Sequence, residues 1–105
     1  MNFKELAETI GLEEDEYREL VELFLETGAA DCENLKDALA AGDAQQVSRS
    51  AHTVSGAAGN LRIMHIYETA KRIERAASDN RLDDVAAEVH DLQGLLEEIA
   101  GFLRG

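Results

Sequence analysis

The residues equipped for chemistry gather in one run, AHTVSGAAGNL at positions 51–61, where a single histidine stands among small side chains. An imidazole offers a lone pair on one ring nitrogen and titrates near neutral pH, so it can act as a base or as a nucleophile toward an electrophile. On a helix its face is shared by residues three, four and seven positions away. For His52 these are Ser48, Arg49, Ser55, Gly56 and Gly59, and only the arginine is large. Glycine inside a helix costs roughly 1 kcal/mol relative to alanine, so Gly56 and Gly59 are expected to serve something other than helix stability. Gly56, one turn from His52, leaves space beside the ring for a bulky group or another protein's surface.

Charge points to an anion as that group. No acidic residue occurs from Ala44 to Tyr67, in a chain that has 22 of them. Widening the window to Arg75 brings in Arg49, Arg62, Lys71, Arg72 and Arg75 against Glu68 and Glu74, a net charge of +3 where the rest of the chain carries −15. A cationic window on an acidic protein suits an anion docked at, or attached to, the histidine.

The elements that must hold this site are helices. Phe3, Leu6, Ala7 and Ile10 form a short first stripe that ends near Gly11. Tyr17, Val21, Phe24, Gly28, Cys32, Leu35 and Leu39 follow at spacings of three and four, which reads as one long helix to about Ala41. Gly28 lies in that stripe and either kinks the helix or admits a close neighbour. Gly42 stops it, and Asp43 with Gln46 has the form of a capping box for the next helix. That helix carries Ala44, Val47, Ala51, Val54, Ala58 and Leu61; a fourth carries Ile63, Ile66, Ala70, Ile73 and Ala77. After the turn SDNR, Leu82, Val85, Val89, Leu92, Leu96, Ile99 and Leu103 repeat to the end of the chain. Four amphipathic helices joined by short loops run antiparallel. The expected fold is all-α: an up-down antiparallel four-helix bundle with a short extra N-terminal helix over one open end, and residues 1–105 as a single domain.

His52 lies one position past the seam residue Ala51, which turns it about 100° out of the core. A hairpin pivoting near Ile63 sets residue 52 opposite residue 74 and residue 55 opposite residue 71. Glu74 is then placed to bond one imidazole nitrogen and fix the tautomer, leaving the other nitrogen free to attack. Lys71 comes near Ser55, and Arg75 or Arg72 stands one residue away.

Composition bounds the function. The net charge of −12 argues against nucleic acid or an anionic membrane as partner and leaves another protein. The opening MNFKELAETI has neither the apolar stretch of a signal peptide nor the length of a membrane span, and one cysteine, Cys32, fits a reducing compartment. A cytoplasmic monomer is expected. Cys32 reads as a small core residue, His65 and His90 have no partner at ligand spacing, and the paired Glu-x-x-His helices of bundle metal sites are absent.

The run from His52 through Gly56 to Leu61 resembles the phosphoacceptor helix of histidine-containing phosphotransfer (HPt) domains, whose pattern is H-x-x-K-G followed by small residues. Those domains are four-helix bundles of about this length, so the resemblance extends over essentially the whole chain. It implies that His52 accepts a phosphoryl group from a receiver-domain aspartate or a kinase and passes it on, that Gly56 leaves room for it, and that Glu74 stands where many members place glutamine against the ring. Two positions depart from the pattern: the family lysine is Ser55 here, and a later family glycine is Arg62. A serine hydroxyl donates one hydrogen bond without charge, which leaves three alternatives: Arg49, Lys71 or Arg75 supplies the charge, the site transfers slowly, or the domain docks without transferring. The module implied is a phosphocarrier, not an enzyme, with no cofactor of its own and magnesium held by the partner receiver domain. Its partners would be a response-regulator receiver domain, a sensor histidine kinase or both, docking over the small residues with Val54, Ile66 or Tyr67 at the rim.

Overall fold

The computed structural model describes residues 1–104. Helix α1 spans Phe3–Thr9, α2 Glu14–Ala40, α3 Ala44–Asn60, α4 Met64–Ser78 and α5 Val85–Arg104, with a 3-10 turn at Leu82–Asp84 before α5. Helices α2 to α5 form a closed ring of neighbours in which α3 packs between α2 and α4, and α5 between α4 and α2. At 1.5 Å per residue the 27-residue α2 spans about 40 Å, and the molecule measures 41 × 22 × 17 Å. One long helix therefore sets the height of the bundle.

Local signals start and stop these helices. Asn2 accepts the Glu5 amide, Glu16 reaches back to the Glu13 amide and Asp43 accepts the Gln46 amide, each satisfying a donor that the first turn leaves open. Asp43 thus caps α3 as the sequence suggests. Gly11 and Gly42 take φ of +73° and +70° where α1 and α2 end. The α3–α4 turn uses the same left-handed geometry at Arg62, φ 63°, without a glycine to relieve it.

The seams fill the core as their spacing requires. Tyr17, Val21, Leu35, Val47, Ala51, Ala58, Ile66, Ala70, Ile73, Val85 and Leu92 are wholly or almost wholly removed from solvent. Gly28 admits a close neighbour, since a Cβ there would lie 3.3 Å from the Leu96 side chain. Gly94 touches nothing comparable and is exposed. At one end, Phe3 of α1 packs on Tyr17 with ring centres 6.2 Å apart, and the Tyr17 hydroxyl donates to the Leu61 carbonyl at the close of α3. Burial pushes this phenol up to about 12. That bond ties the start of α2 to the end of α3, the helix that carries His52.

Candidate functional site

Helix α3 buries a wide arc, Val47, Ser50, Ala51, Val54, Ser55 and Ala58, because it packs against two neighbours. What remains outside is a narrow strip containing Arg49, His52, Thr53, Gly56 and Asn60. His52 stands on that strip with 67 % of its side chain exposed. A Cβ at Gly56 would meet no atom within 4 Å, so the space one turn beyond the ring is open.

Glu74 of α4 reaches the ring from the side, its Oε2 2.9 Å from Nδ1. An ionised carboxylate only accepts, so the ring proton sits on Nδ1 and the lone pair of the neutral imidazole lies on Nε2. The other carboxylate oxygen, Oε1, accepts from Lys71 Nζ at 3.1 Å. Burial alone would raise the Glu74 carboxyl, but the hydrogen bonds and charges of Lys71 and His52 together hold it below the ordinary glutamate range. The carboxylate therefore stays charged, and the ring keeps its orientation, through the neutral pH range. This triad can present an oriented nitrogen nucleophile to an electrophile arriving from solvent.

The remaining residues divide. Arg49 and Arg75 are exposed, and neither enters an ion pair among the described residues. Arg72 turns away to Glu88 of α5 at 3.3 Å. Arg62 lies past the end of α3, more than two turns of helix along from His52. The cationic window of the sequence thus narrows to Arg49, Lys71 and Arg75 around the ring.

Two expectations need correction. Ser55 does not face the site: it is fully buried and its hydroxyl donates to the His52 carbonyl at 2.9 Å. Its position flanks the apolar seam, and packing against α4 closes over it. Val54 and Ile66 are not at any rim, being 1 % and 0 % exposed; only Tyr67, half-buried, keeps that position. Sequence periodicity gave no notice of the exposed apolar residues on α2, Leu20 and Leu23, which stand outside its buried stripe. The signal available was their spacing of three, one turn apart, off the seam.

Among the described residues no three His, Cys, Asp or Glu side chains gather as a metal site, Cys32 is buried, and no helix is long and apolar enough to cross a membrane. Neither curated proteins nor solved structures yield a match to the chain. The family model of the Hpt domain matches residues 19–102, from the second turn of α2 to near the end of α5. That span covers most of the chain and all four bundle helices, and so the chain belongs to the Hpt domain family of phosphotransfer modules.

Proposed function

We propose that this protein carries a phosphoryl group on His52, receiving it from the aspartyl phosphate of a receiver domain or from a histidine kinase and passing it to another receiver. The observation that carries this reading is the bond between Nδ1 and Glu74 beneath a ring that is otherwise open to solvent. The Nε2 lone pair attacks phosphorus in line, the N–P bond forms, and the bond from phosphorus to the aspartyl oxygen breaks with its electron pair returning to that carboxylate. Positive charge that builds on the imidazole is met by Glu74 through the Nδ1 proton. Attack by a second receiver's aspartate reverses the step. The divalent metal and most stabilisation of the moving phosphoryl group belong to the receiver domain. The chain is then a carrier and not an enzyme, since it ends each half-reaction chemically altered.

Docking falls to the strip around His52 and Gly56, with Tyr67 at its edge. The replacement of the related motif's lysine by a buried Ser55 supports a second reading, in which the domain binds a receiver without transfer. Incubation with receiver domains loaded with radiolabelled phosphate separates the two. Acid-labile label appearing on the wild type and missing from His52→Gln is the expected outcome. Stable complex formation with no label on the wild type would establish docking without transfer.

A further inference from the structure

Three cross-helix pairs fix the register of α3 against α4. The Ser48 and Ser78 hydroxyls lie 3.1 Å apart, His52 meets Glu74, and the Tyr67 ring lies against Gly59 so closely that a Cβ there would be 3.1 Å from Cδ1. All three pairs are centred on Ile63, so position 71 faces position 55. Lys71 therefore stands across the helix pair from the buried Ser55, one turn along α4 from Glu74. Its ammonium is shared between Glu74 Oε1 at 3.1 Å and the face of Tyr67, 5.9 Å from the ring centre. Gly59, Tyr67, Lys71, Glu74 and His52 form one continuous chain of contacts.

A phosphoryl group on Nε2 would bring two negative charges close to the Glu74 carboxylate, and such crowding of like charge needs a cation beside it. Arg72 is engaged by Glu88, and Arg62 lies beyond the end of α3, in the turn before α4. Arg49 and Arg75 are exposed on long stems, whereas Lys71 keeps only 28 % of its side chain in solvent and already bonds the carboxylate that holds the ring. Lysine carries three donors on a rotatable stem, so Nζ can exchange its bond to Oε1 for one to a phosphoryl oxygen. No covalent bond changes in that exchange. The open space at Gly56 lies at the same level of the hairpin.

We propose that Lys71 is the phosphoryl-holding cation of this domain, supplied from α4 opposite the buried Ser55 and steadied by the Tyr67 ring seated on Gly59. The assignment rests on His52 as phosphoacceptor, and the test keeps the two apart. Transfer from a receiver domain carrying radiolabelled aspartyl phosphate is timed for the wild type, Lys71→Ala, Lys71→Arg, Arg49→Ala and Arg75→Ala, each checked for native helicity and melting temperature. Loss of a charge-assisted bond to the phosphoryl oxygens predicts that Lys71→Ala transfers at least about tenfold more slowly and Lys71→Arg recovers most of the rate. Arg49→Ala and Arg75→Ala, whose exposed charges are screened by solvent, should each lose less of the rate than Lys71→Ala. Gly59→Ala, which displaces the Tyr67 ring, should slow the wild type about twofold to threefold and leave Lys71→Ala unchanged, because the two act in one chain. A labelled wild type with Lys71→Ala equally fast, or with Arg49→Ala or Arg75→Ala the slowest variant, overturns the assignment and leaves His52 as acceptor. A wild type that takes no label overturns both.

Discussion

The α3–α4 hairpin and the α2–α5 pair are two halves of one bundle, held together by different means. Between α2 and α5 the contact is apolar: Leu96 rests on Gly28, with Val21, Phe24, Cys32, Leu35, Val89 and Leu92 buried around it. No side-chain hydrogen bond links those two helices among the described residues. Between α3 and α4 the buried residues are smaller, alanine, serine and valine facing alanine, isoleucine and one threonine, and two polar pairs cross the seam at Ser48–Ser78 and His52–Glu74. Hydrophobic contact is non-directional and proportional to area, so it can hold helices together without fixing the height of any one side chain. Hydrogen bonds are directional. Apolar burial in both halves supplies stability, and the α3–α4 half adds the bonds that set the position and tautomer of one ring.

That division is open to attack from either side. The largest effect is expected on the apolar half, where Leu92→Ala removes a fully buried side chain and should cost about 2–5 kcal/mol in denaturant unfolding. At a temperature where the variant remains folded, its labelling rate should match the wild type; a rate that falls with stability would erase the distinction. The next effect belongs to the polar half. Glu74→Ala leaves the ring free to rotate and to change tautomer, and the loss of one hydrogen bond of about 1 kcal/mol predicts phosphotransfer slower by roughly fivefold. Its melting transition should stay near wild type, because the carboxylate bonds surface partners. Glu74→Gln keeps an acceptor for Nδ1 and should restore most of the rate. A Glu74→Ala protein that is fast but unstable would reverse the assignment of the two halves.

Much of this layout was legible in the sequence. The helix seams follow from spacing alone, because apolar residues, large or small, recur at threes and fours on every helix, and the pivot at Ile63 sets His52 against Glu74 by simple counting. Ser55 was not legible, and the reason is geometric. A helix packed on two neighbours buries more than its apolar stripe, so polar residues at the margins, Ser50 and Ser55, disappear with it; each keeps a local partner, Gln46 and the His52 carbonyl. The same wide burial removes Val54 and Ile66 from the surface. The α3–α4 turn gave no sign of its left-handed residue because Arg62 fills a position that glycine usually marks. The 3-10 turn at Leu82–Asp84 likewise hid inside a run that continues the α5 spacing.

The proposed transfer requires that Glu74, by occupying Nδ1, makes Nε2 the atom that takes phosphorus. Phosphorylating protein labelled with ¹⁵N and reading the ¹⁵N–³¹P coupling by NMR identifies the bonded nitrogen directly. The expected product carries a single phosphoryl group on His52 Nε2, with the Nδ1 proton retained toward Glu74. Phosphorus on Nδ1, or on His65 or His90 with His52 unmodified, would contradict it.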